Sequence, residues 1–76
     1  MKADTILYYD GTYWKVIRTG YSKIKEEVFY ECWGWHPTYR KWNAPYAFLL
    51  PANKVRVPGK LEILVALGAK EANGQY

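Results

Sequence analysis

Between Cys32 and Tyr46 the chain reads C-W-G-W-H-P-T-Y-R-K-W-N-A-P-Y, and most of its chemistry is gathered there. The stretch holds three of the four tryptophans, two of the eight tyrosines, the single histidine, the single cysteine and two adjacent cations, and it contains no acid. Rings with a polar edge, interleaved with Arg and Lys, suit a face that stacks bases or sugars or seats another protein. Catalysis fits the residues less well. Cys32 and His36 lie four positions apart, about 13 Å along a strand, unless Gly34 and Pro37 fold the segment back. Ser22 is the only serine. Of the carboxylates Glu26, Glu27 and Glu31, only Glu27 and Glu31 share a strand face. There is no glycine-rich phosphate loop, no C-x-x-C and no aspartate cluster. A lone Cys and a lone His cannot fill a four-ligand zinc site, so the expectation is a non-enzymatic chain with no metal and no cofactor. Cys32 reads as a small buried hydrophobe.

Charge points the same way. The net charge is +4, and no Asp or Glu occurs between Glu31 and Glu62, where Arg40, Lys41, Lys54, Arg56 and Lys60 fall. Lys15, Arg18, Lys23 and Lys25 form a second acid-free run between Asp10 and Glu26. Segregated positive charge marks a polyanionic partner, or else strand faces that are basic and simply solvated. The longest apolar run, Ile63 to Ala69, is too short to span a bilayer, and the first residues carry no signal-peptide pattern, so no membrane partner and a cytoplasmic location are expected.

These residues need elements to hold them. Asp10-Gly11 is a favoured two-residue hairpin turn, flanked by T-I-L-Y-Y and T-Y-W-K-V-I-R. Pairing across it sets Leu7 opposite Trp14 and Thr5 opposite Val16. Leu7, Trp14 and Val16 then share the core face, while Ile6, Tyr8, Tyr13, Lys15 and Ile17 share the other. Thr19 to Lys25 is a polar loop, and Glu27 to Trp35 resumes strand character. Gly34 is a candidate bulge or point of close approach. His36-Pro37-Thr38 is a turn, Tyr39 to Trp42 the returning strand, and Pro45 ends it or marks an edge. Tyr46 to Leu50 and Lys54 to Val57 follow. Leu61 to Leu67 alternates strictly, as a strand does, yet Leu61, Leu64, Val65 and Gly68 also fit a short helix with a glycine cap. The expectation is an all-β domain over residues 1–68, with one short C-terminal helix as the variant reading, and a flexible tail over 69–76. The architecture is a small antiparallel SH3-like barrel of five or six short strands.

Gly11-x-x-Trp14-x-Val16-Ile17, then Glu26-Glu27-Val28-x-Tyr30, then Trp42-x-x-Pro45-x-x-Phe48-Leu49 resembles the pattern of a family of small uncharacterised bacterial proteins. The resemblance covers about half the chain, with the W-G-W-H-P segment and everything beyond Pro51 outside it. It implies an SH3-like barrel and no particular activity.

The register of the second hairpin decides what the rings do. With the Val28, Tyr30 and Cys32 side inward, Trp33 and Trp35 stand on the outer face, and a slip of one residue reverses this. The outward register makes a nucleic-acid interface in which Trp33, Trp35, Tyr39 and Trp42 stack bases. Arg40, Lys41, Lys54, Arg56 and the loop lysines Lys23 and Lys25 then neutralise phosphates. The alternative uses the same rings to hold a protein, a sugar or a proline-rich peptide, as an accessory or inhibitor module would.

Overall fold

The computed structural model describes residues 2–75, with the backbone alone described for residues 44–46, 74 and 75. Four strands, β1 (Ile6–Tyr9), β2 (Thr12–Ser22), β3 (Glu27–His36) and β4 (Lys41–Pro51), form an antiparallel meander in the order β1-β2-β3-β4. A 3-10 turn (Ala52–Lys54) leads to Arg56, which bridges back to Tyr8 on β1 and acts as a fifth strand of minimal length. Two helices follow, α1 (Lys60–Leu67) and α2 (Ala69–Gln75).

The first hairpin follows from its turn. Asp10 and Gly11 both take positive φ, 52° and 76°, which locks Leu7 opposite Trp14 and Ile6 opposite Lys15. The next two hairpins share a different local solution. Each has four turn residues, the last in the left-handed region: Glu26 at φ 53° and Arg40 at φ 52°. In each, the last strand residue turns its side chain back on the loop. Lys25 N–H donates to Ser22 Oγ, and Tyr39 N–H donates to His36 Nδ1, both at 3.2 Å. Tyr39 therefore lies in the turn, and the returning strand starts at Lys41.

Two irregularities bend the sheet. Ile17 is an extra residue in β2, between the pairs Val16–Cys32 and Arg18–Glu31. In β4, residues 43–46 oppose the single residue Gly34, between the pairs Trp33–Ala47 and Trp35–Trp42. Gly34 is thus both things its position implied. It sits at a bulge, and it is a close approach, since a Cβ there would lie 3.3 Å from the Trp14 ring.

Ile6 and Leu7 are both buried although they point to opposite faces, because the sheet has a core on each side. On one side Leu7, Val16, Cys32 and Leu50 pack with Tyr9, Trp14, Tyr30 and Val55. This is the face expected inward, and Trp14 is fixed there by donating Nε1–H to the Tyr9 carbonyl at 3.0 Å. On the other side Ile63 and Leu67 of α1 and Ala72 of α2 close over Ile6, Tyr13, Trp35 and Trp42. These helices settle one open reading and correct one expectation. Leu61 to Leu67 resolves as helix, closed where Gly68 N–H reaches the carbonyls of Ile63 and Leu64 at 3.3 and 3.1 Å. Residues 69–75, expected as a flexible tail, form α2 and bury Ala72, while Tyr76 lies outside the described residues. Among the described residues no helix is long and apolar enough to cross a membrane.

Candidate functional site

The register of the second hairpin is the one that points Cys32 inward, so Trp33 and Trp35 share the other face with Lys15. That face is not free. Trp35 and Trp42 stand edge to face at 4.9 Å and 67°, and both pack into the core under α1 and α2. Trp42 Nε1 is buried without a hydrogen-bond partner. Lys15 Nζ sits 4.9 Å above the Trp42 ring and 3.6 Å from Glu71, which ties α2 to the sheet. Trp33 belongs to neither core cluster and is half-buried.

Two of the expected phosphate-binding cations are structural. Arg40 donates Nη2–H to the Leu67 carbonyl at 3.0 Å, at the C-terminal end of α1, with its guanidinium 5.9 Å from the Trp35 ring. A cation there also complements the helix dipole. Arg56 makes two parallel hydrogen bonds of 2.8 Å to Glu62 and lies 4.6 Å over the Tyr8 ring. Glu62 also accepts from Tyr13 Oη at 2.7 Å. Arg56, and then the Tyr13 hydroxyl, hold the Glu62 carboxyl down at about 2, while burial and the bond to Glu62 push Tyr13 up. Arg18 is likewise occupied, paired with Glu31 across β2 and β3.

His36 and Cys32 are not partners. His36 accepts from Tyr39 N–H and stacks on the Tyr39 ring at 4.6 Å. Cys32 is fully buried, and burial, followed by the charge of Glu31, pushes its thiol up to about 12. Such a thiol is not a nucleophile near neutral pH.

Tyr39 is 71 % exposed at the turn, with Lys41 Nζ 5.7 Å from its ring. The other expected cations lie elsewhere, Lys23 and Lys25 in the β2–β3 turn and Lys54 in the 3-10 turn. Lys25 and Lys54 meet at a groove of about 580 Å³, lined also by Ser22, Glu27, Phe29, Leu49, Pro51 and Asn53. The expected site therefore divides: Tyr39 and Lys41 stay at one hairpin, Lys25 and Lys54 meet at the groove, and Lys23 shares the turn with Lys25 without lining the groove. Phe29 and Leu49 form an apolar floor that the sequence reading missed. The signal was Gly20 opposite Phe29. The Phe29 ring lies over Gly20 so closely that a Cβ there would be 2.5 Å from Cζ, so the glycine provides a seat for the ring. Only Glu27 opposes the lysines in the lining.

Comparison with family models, with curated proteins and with solved structures returns no match.

Proposed function

We propose that this chain is a small non-enzymatic binding module that takes single-stranded nucleic acid in the groove between the β2–β3 turn and the 3-10 turn. One observation carries the reading: the groove brings Lys25 and Lys54 to the rim of a floor made by Phe29 and Leu49. A base needs a flat apolar surface and its phosphates need cations within reach, and the groove supplies both. Lys23, two residues before Lys25 in the same turn, adds to the positive charge of that loop. The reading keeps the nucleic-acid partner expected from composition and moves its site away from Trp35 and Trp42. An SH3-like description of the fold belongs to the same proposal, supported by the return of Arg56 to β1 after a 3-10 turn. So does a cytoplasmic location, which suits an unpaired thiol.

The test is a titration of the protein into a fluorescein-labelled single-stranded oligonucleotide at two salt concentrations. Anisotropy should rise at low salt, and the affinity should fall steeply with salt. No response at low salt overturns the reading.

A further inference from the structure

The two edges of the sheet are treated differently. The outer edge of β1 is closed by a reciprocal pair of hydrogen bonds, Tyr8 N–H to the Arg56 carbonyl at 2.7 Å and Arg56 N–H to the Tyr8 carbonyl at 3.0 Å. The outer edge of β4 has no neighbouring strand among the described residues. Open edges carry outward N–H and C=O groups on alternate residues, and natural sheets usually blunt them with charge, bulges or proline. Here the blunting is partial. Pro45 and Pro51 both lack an N–H and bound a run, Ala47–Leu50, that contains no charge. Within it Phe48 is 53 % and Leu49 63 % exposed, and as neighbours in a strand they project to opposite faces. Phe48 is held in place edge-on against Trp14, with the rings 5.5 Å apart at 73°.

We propose that the Ala47–Leu50 edge docks an extended segment of a partner protein, with an apolar centre and acidic flanks, which adds to the sheet as a further strand. Backbone pairing along the open edge supplies the register, and Phe48 and Leu49 supply apolar contacts on the two faces. The prolines limit the pairing to a short segment. Charge selects the partner. The edge lies inside the acid-free run from residue 32 to 61, with Lys41 where β4 begins and Lys54 just beyond its end. A second copy of this chain would bring another net +4 and set its own acid-free edge against this one, so self-pairing is disfavoured. The proposal shares Leu49 and Lys54 with the groove, but it rests on the edge backbone, which the groove reading does not use.

The test is selection of a random displayed peptide library on the immobilised full chain, with the enriched peptides resynthesised. Enriched sequences should alternate apolar residues between terminal Asp or Glu. Leu49→Lys should weaken them about tenfold, the loss of one apolar side-chain contact. Amide exchange in Ala47–Leu50 should slow when such a peptide is bound. A peptide methylated at alternate amides should lose binding to the unaltered protein, a readout that does not depend on how the variant folds. Failure to enrich, enrichment without acidic flanks, equal affinity for Leu49→Lys, or slowed exchange only elsewhere overturns the proposal. So does self-association in sedimentation that Leu49→Lys abolishes, because the occupant is then a second copy.

Discussion

Arg40 donates from Nη2 to the carbonyl oxygen of Leu67 at 3.0 Å, across 27 positions of sequence, and so ties the β3–β4 turn to the last turn of α1. The left-handed backbone at Arg40 and the stop at Gly68 bring the two together. Arg40→Ala should therefore act on stability more than on binding. The expected loss is about 1 kcal/mol, for one charge-assisted hydrogen bond near a helix C-terminus. Urea denaturation should show it as a lower midpoint, while oligonucleotide affinity stays within about twofold of the unaltered protein.

Lys25 and Lys54 should behave in the opposite way. Neither has an ion-pair partner among the described residues, so replacing either with Gln leaves no buried group unpaired. Each substitution should reduce the slope of log affinity against log salt by about 0.7, the value for one contact to a single strand. Lys41→Gln, at the other hairpin, should leave the slope unchanged. Anisotropy titrations at three or more salt concentrations check all three variants.

The same element explains most of the distance between sequence and structure. Local turn chemistry at D-G sets the first hairpin's register, whereas period-two alternation leaves two registers open for the next, of which the one with Cys32 inward forms. The segment K-L-E-I-L-V-A-L satisfies strand and helix periods alike, so its sequence did not show that it would fold over the outer face. With α1 unplaced, Trp35 and Trp42 look like exposed platforms, and Arg40 and Arg56 look like free cations. Their partners are the helix itself: Ile63 and Leu67 for the rings, the Leu67 carbonyl for Arg40, and Glu62 for Arg56. The groove was illegible for a different reason. Ser22, Phe29, Leu49 and Lys54 converge only because the meander and the 3-10 turn bring two separate stretches, residues 22–29 and 49–54, to one end of the sheet.

The cluster of Glu62, Arg56 and Tyr13 should make stability depend on pH at the acid end. The folded carboxyl is held at about 2, below its ordinary value of 4.5. The folded state therefore binds fewer protons than the unfolded chain between those values. Its contribution is present in full above about 4.5 and is lost as pH falls toward about 2. Urea midpoints measured from neutrality down to pH 2 should drop across that window. Glu62→Gln should lower stability at neutral pH and flatten the drop. A variant whose midpoint falls as steeply as the unaltered protein's would assign the acid sensitivity to other carboxylates.

Cys32 gives a readout of global opening. Its thiol is fully buried and raised to about 12, so a disulfide reagent at pH 8 should label it only in molecules that have opened the Leu7, Val16 and Leu50 cluster. Labelling should be slow in buffer and complete in denaturant. Cys32→Ser should cost about 1–3 kcal/mol by burying a hydroxyl without a ready partner, and Cys32→Ala less than Cys32→Ser.

Gly20→Ala separates the groove's floor from its charge. A Cβ at this position would meet Phe29 Cζ at 2.5 Å, Cε2 at 2.7 Å and Cε1 at 3.2 Å, so the ring must leave its seat. Phe29 is only half-buried, and the ring has room to swing outward, so the fold should survive with a loss of about 1 kcal/mol, at the lower end for an overpacked site. Stacking should suffer more, since a ring displaced over the groove no longer offers its face to a base. Oligonucleotide affinity should fall about fivefold or more, within the 1–3 kcal/mol that one stacked base contributes. The salt slope should not change, because Lys25 and Lys54 are untouched. Gly34→Ala is the control. It meets the Trp14 ring, pinned by its bond to the Tyr9 carbonyl, so it should lower the denaturation midpoint without altering affinity. If Gly20→Ala leaves affinity intact while Phe29→Ala removes it, the ring binds in a rotated position. If both leave it intact, the floor plays no part, and the lysines alone hold the strand.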